Sequence, residues 1–126
     1  MATRSLIGSI QNNGTVKTIY CHWDGYPGHN GEMLLSHYNT PSKVEELIEM
    51  GDLSSLEYNI DHCKPVDCNW ELRAPREVEL GHLADVAGNY DAEYVYVYND
   101  EFEWQCYEYN YSSGKLHKIK ILAHVA

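Results

Sequence analysis

After residue 91 the chain reads as strand, turn, strand, turn, strand, and no other stretch restricts the fold so tightly. Residues 92–98 end in alternating Tyr and Val, Asn99-Asp100 marks a turn, and residues 102–109 form a second run rich in aromatics. Ser112-Ser113-Gly114 marks the next turn, and residues 116–125 read as a third strand. β-Branched and aromatic side chains suit a pleated surface, whereas Asn, Asp, Ser and Gly supply the turns. Strands joined by such short turns lie antiparallel, because a parallel return needs a crossover of about a dozen residues or more. A meander of this kind needs a covering layer for its apolar side.

The rest of the chain supplies that layer. Residues 5–11 and 15–22 are rich in Ile, Val, Thr and Tyr and flank Asn12-Asn13-Gly14, the pattern of a hairpin. A loop over 25–31 follows, then a short helix over 32–38. A second helix is marked by Thr40 as N-cap, Pro41 in the first helical position, Val44, Leu47 and Ile48 at helical spacing, and Gly51 as terminator. Residues 52–75 show no sustained period, and an irregular excursion of that length suggests a function or a bound ion. Helical spacing returns over 75–88 through Val78, Leu83 and Val86, with Leu80 and Ala87 alongside and Gly81 opposing it. The expectation is a single α+β domain, residues 1–126, with about five mainly antiparallel strands packed against two or three helices.

Nineteen acids against nine bases give a formal charge of −10, which repels nucleic acid and favours basic partners. The imbalance is localised: residues 77–114 hold nine acids, no Lys or Arg, and seven of the eleven tyrosines. No apolar run is long enough to span a membrane, and the N-terminus lacks the apolar core of a signal peptide, so the expected location is the cytoplasm. In that reducing compartment Cys21, Cys63, Cys68 and Cys106 are expected as thiols or metal ligands rather than disulfides.

Strand alternation separates Glu93, Val95 and Val97 from Tyr94, Tyr96 and Tyr98. It likewise separates Phe102, Trp104 and Cys106 from Glu103, Gln105, Tyr107 and Tyr109. Burying the two valines with Phe102, Trp104 and Cys106 leaves a partner-binding face of Tyr94, Tyr96, Tyr98, Glu103, Gln105, Tyr107 and Tyr109. Tyrosine offers large contact area at small entropic cost, and carboxylates among the rings can stand in for phosphates toward Arg and Lys. The plainer reading is that strands favour Tyr and that helices cover this face as well, with Lys118 and Lys120 pairing part of its charge.

The run Tyr20-Cys21-His22-Trp23-Asp24-Gly25-Tyr26-Pro27 gathers polar groups and aromatics around a turn, in which Gly25 is expected to supply a positive φ. Trp23, Asp24 and Tyr26, with His37, make a candidate ligand loop. Cys21, His22, His62, Cys63 and Cys68 carry zinc-ligand chemistry, but their spacing is not that of paired zinc-binding cysteines, and buried thiols are the favoured reading. Cys21 with His22 or His37 lacks any accompanying oxyanion-stabilising signature, so neither catalysis nor a cofactor is expected.

Together with Met1-Ala2-Thr3-Arg4-Ser5, Leu34-Leu35, His37-Tyr38 and Val44-Glu45-Glu46-Leu47-Ile48, that run resembles a family of small proteins encoded by bacteriophages and mobile elements. The resemblance spans residues 1–56, with a weaker echo over 92–97, and implies genetic context rather than chemistry. Joined to the acidity, it leads to the expectation of a non-enzymatic inhibitor of a bacterial defence system, of the anti-CRISPR or anti-restriction kind. Such an inhibitor would occupy a Lys/Arg-rich nucleic-acid-binding surface and bind no nucleic acid itself. One alternative is a protein that sequesters a nucleotide signal around Trp23, Tyr26 and His37, which would need positive charge nearby. A metal- or thiol-dependent enzyme acting on nucleic acid is opposed by the charge.

Overall fold

A hairpin opens the domain, with β1 (Ser5–Ile10) and β2 (Thr15–Cys21) antiparallel and Ile7 opposite Ile19. The computed structural model describes residues 2–119. Beyond β2 a π-helical turn, Pro27–Gly31, leads into α1 (Glu32–His37), and α2 (Pro41–Glu49) follows. The Thr40 side chain accepts a hydrogen bond from Lys43 N at 3.4 Å, so the cap and Pro41 stand where the sequence places them. The buried stripe of α2 is Val44, Leu47 and Ile48. Removing each from water is worth roughly 1.5–3 kcal/mol, and that burial holds the helix on the sheet.

The chain continues through β3 (Leu53–Ser55), β4 (Lys64–Pro65), α3 (Trp70–Arg73), β5 (Arg76–Glu79), α4 (Leu83–Asn89), β6 (Tyr94–Tyr98), β7 (Trp104–Asn110) and β8 (Lys115–Ile119). Among the described residues eight strands form one sheet in the order β4-β3-β2-β1-β6-β7-β8, with β5 paired to the other half of β2. The α+β class therefore holds, with three strands more than expected. Pairing is mainly antiparallel; β1 with β6 and β2 with β3 run parallel. Of the strand expected over 116–125, residues 120–125 lie outside the described residues. No helix among the described residues is long and apolar enough to cross a membrane.

Two expectations are corrected. The helix expected over 75–88 begins only at Leu80, as a 3-10 turn over Leu80–His82 that runs into α4, because Arg76–Glu79 pairs along β2 with Val78 opposite Val16. Glu77, Val78 and Glu79 fit a two-residue period as well as a helical one, and an unpaired edge of β2 decides between them. The second correction concerns the faces of β6 and β7. Tyr96 stands opposite Cys106 and Tyr98 opposite Trp104, while Val97 stands opposite Gln105. The β6–β7 connection spans residues 99–103 and sets Tyr98 opposite Trp104; grouping the valines with Trp104 and Cys106 would need a register shifted by an odd number of residues, which turns every β7 side chain to the other face relative to β6.

Helices cover both sides of the sheet. One side packs Ile7, Ile19, Tyr96, Tyr98, Trp104 and Cys106 against Leu34, Val44, Leu47 and Ile48 of α1 and α2. The other packs Leu6, Val95 and Val97 against Leu83 and Ala87 of α4. Tyr96 and Tyr98 lie in the core, as in the plainer of the two readings of the tyrosines.

Candidate functional site

The seven residues expected to share one exposed face do not share it. Tyr96 is fully buried, and its Oη donates to the carbonyl of Gly25 at 2.6 Å. Tyr98 is buried against Trp104, with ring centroids 5.1 Å apart. Tyr94 packs beside the same cluster, whereas Tyr107 and Tyr109 pack on the opposite side of the sheet. Gln105 is half-buried and Glu103 is exposed.

The run from Tyr20 to Pro27 is chiefly a fastening between the end of β2 and the start of β1. Gly25 N donates to Thr3 O at 2.8 Å, and a Cβ at Gly25 would lie 2.8 Å from both Ser5 Cβ and Thr3 O. Gly25 thus permits a close approach of backbones, and the left-handed residue of the turn is Asp24, at φ 56°, rather than Gly25. Buried Asn30 completes the fastening: its Nδ2 donates to Ser5 Oγ and Cys21 Sγ, at 3.3 and 3.4 Å. Trp23 and Tyr26 stay exposed, but His37 stands apart from them, at the end of α1 beside Tyr58. Trp23, Asp24, Tyr26 and His37 line neither of the two clefts described below.

Among the described residues no group of three His, Cys, Asp or Glu side chains is placed to hold a metal ion, and the four cysteines are free thiols. Cys63 sits against Tyr38 Oη at 3.3 Å, and Cys21 Sγ donates to Trp23 O at 3.6 Å. Burial pushes the Cys21 and Cys106 thiols from 9.0 up to about 12, with Asn30 pulling Cys21 partly back. Both therefore stay protonated in the folded chain where an unfolded chain's thiols ionise. Their contribution to stability is whole below about pH 9 and is lost as pH rises toward about 12. Urea midpoints are expected to stay level from pH 7 to 8 and to fall above pH 9. A level midpoint through pH 11 would contradict the burial of these thiols.

Two concave surfaces meet at Phe102. The turn after β6 is pinned by Asn99, whose Oδ1 accepts from Glu101 N at 2.9 Å and Glu103 N at 3.0 Å. Inside it Phe102 takes a left-handed conformation, φ 61°, and leaves 65% of its surface exposed. A bulky residue rarely adopts that conformation, and the strain is on the order of 1–3 kcal/mol. The strand pattern places Phe102 in the core, so the sequence conceals it; the turn residues just before it are the signal that the strand starts later.

Phe102 and Tyr98 together wall two clefts. The larger, about 630 Å³, lies between the β1–β2 turn, α2 and the turn after β6. Glu45, Glu49 and Asp100 bring carboxylates to it, and among the described residues Lys17 brings its one cation, already paired with Glu49. The smaller, about 420 Å³, is more apolar, with Leu35, Trp104 and Ile119 in its wall. A carboxylate-rimmed cleft beside an exposed ring is suited to a cationic group and repels phosphate. No protein-family model, curated protein or solved structure matches this chain.

Proposed function

We propose that this protein inhibits a bacterial defence system, of the anti-CRISPR or anti-restriction kind, by stoichiometric binding to a Lys/Arg-rich nucleic-acid-binding surface in the host cytoplasm. The observation that carries the reading is the acid-rimmed cleft beside Phe102, on a chain of formal charge −10. It replaces the tyrosine face as the docking surface. Carboxylates of Glu45 and Asp100 meet partner cations where phosphates would otherwise lie, and Phe102 adds apolar contact. A domain of this size offers the roughly 800 Å² per partner of a standard interface. No chemistry is required of it.

The nucleotide-sequestering alternative asks for free positive charge beside Trp23 and Tyr26. Arg76 lies 5.0 Å over the Tyr90 ring, whose centroid is 5.4 Å from that of Tyr20 at the start of the run. Its guanidinium is already paired with Asp52 at 2.8 Å, which leaves little charge for a phosphate.

Affinity capture from a bacterial lysate at low and high salt tests the reading. A nucleic-acid-binding partner is expected, retained at low salt and released as the Debye length shrinks below roughly 8 Å. Pre-loading the partner with its nucleic acid is expected to block capture. Equal capture of the pre-loaded complex, with affinity level across salt, would overturn docking by charge mimicry.

A further inference from the structure

We infer that the larger cleft beside Phe102 receives an arginine side chain of the partner, its guanidinium lying on the Phe102 ring between the carboxylates of Glu45 and Asp100. The inference rests on the docking proposed above and names the side chain that enters.

Three independent features converge on that chemistry. The ring is presented in advance: Asn99 fixes the turn, and the left-handed backbone at Phe102 turns the side chain out to solvent. Charge in the cleft is unbalanced, because Lys17 is paired with Glu49 while Glu45 and Asp100 form no ion pair among the described residues. The wall shared with Phe102 holds Tyr98, only 4% exposed, whose hydroxyl is buried and has no hydrogen-bond partner among the described residues. A buried hydroxyl without a partner is costly, and a donor entering past the Phe102 ring would supply one.

Arginine meets these demands better than lysine. Its guanidinium is planar, stacks on an aromatic face, and carries five N–H donors, enough for two carboxylates and a phenolic oxygen together. A lysine ammonium is a strongly hydrated point charge that gains little from the ring. Anionic ligands are repelled by Glu45 and Asp100.

The test uses the full chain and two capped tripeptides, Ala-Arg-Ala and Ala-Lys-Ala, titrated while backbone amide NMR signals are followed. The arginine peptide is expected to shift Asn99, Phe102 and Glu45 and to bind at least fivefold more tightly than the lysine peptide. Phe102→Asn removes the ring while keeping a residue that tolerates left-handed φ, and Glu45→Gln removes one carboxylate. Each is expected to weaken arginine-peptide binding severalfold, Glu45→Gln at an unchanged unfolding midpoint and Phe102→Asn at a midpoint no lower than the parent's, because asparagine relieves the left-handed strain. Equal binding of the two peptides, shifts centred away from the cleft, or unaltered binding by Phe102→Asn would overturn the assignment. Were salt-sensitive partner capture to persist after such a result, the arginine would be wrong and the docking right; loss of both would remove both.

Discussion

Tyr96→Ala is expected to lower stability by about 3–5 kcal/mol, the range for truncating a fully buried aromatic in a core that cannot close around the gap. Tyr96 is 0% exposed and is the largest fully buried side chain among the described residues. It sits between Cys106 on β7 and Ile7 on β1, so the cavity would open in the middle of the sheet. The variant also strips Gly25 O of its 2.6 Å hydrogen bond, and with it a tie between β6 and the loop from Tyr20 to Pro27. A domain of this size has about 5–15 kcal/mol in all, so the loss is a large fraction of the total. Tyr96→Phe, which keeps the ring and loses only the hydroxyl, is expected to cost about 1–3 kcal/mol. Urea unfolding of the two variants measures both. A Tyr96→Ala midpoint equal to the parent's would be incompatible with a core position. Lost partner binding in Tyr96→Ala would report unfolding, and Phe102→Asn is the cleaner probe of the surface.

The same residue shows where the sequence is legible. Local signals carry over directly: Asn12-Asn13-Gly14 forms its hairpin, and Thr40, Pro41, Val44, Leu47 and Ile48 mark α2 because cap, first turn and buried stripe all lie within nine residues. Strand alternation over 94–98 is equally plain, but alternation does not say which side meets which neighbour. That depends on the register with β7, which gives Tyr96 and Tyr98 the neighbours Cys106 and Trp104, and on α1 and α2, which cover that side of the sheet. Asn99 holds the connection to β7 by capping two amides in one turn, an arrangement its single letter does not announce. Non-local pairing hides β5 for a related reason: four residues with two glutamates become a strand only because β2 has an edge to fill. The acidity needs no fold to be read. Its concentration beside Phe102 does, since Glu45 and Asp100 lie far apart in sequence and meet only when α2 and the turn after β6 face each other across the cleft.

Gly51→Ala is expected to cost about 3 kcal/mol or more, for two reasons that act together. Gly51 ends α2 at φ 78°, a conformation that costs an L-residue roughly 1–2 kcal/mol. Its new Cβ would also stand 2.3 Å from Arg73 O, and overpacking of this kind adds about 1–3 kcal/mol. Arg73 O cannot simply step aside, because it accepts from Asp52 N at 2.7 Å. The Asp52 carboxylate in turn accepts from Tyr20 N at 2.8 Å and pairs with Arg76. Shifting the carbonyl therefore loosens the join between α3, β5 and β2 along with the end of α2. Faster amide exchange is expected at Tyr20 and Asp52, alongside a lower urea midpoint. Gly81→Ala is the matched control: its Cβ meets nothing within 4 Å, and alanine reduces the freedom of the unfolded chain there, so a neutral or slightly stabilising change is expected. If both variants unfolded at the parent's midpoint, the close approach at Gly51 would be ruled out, and with it the fastening of Arg73 and Asp52 beneath α2.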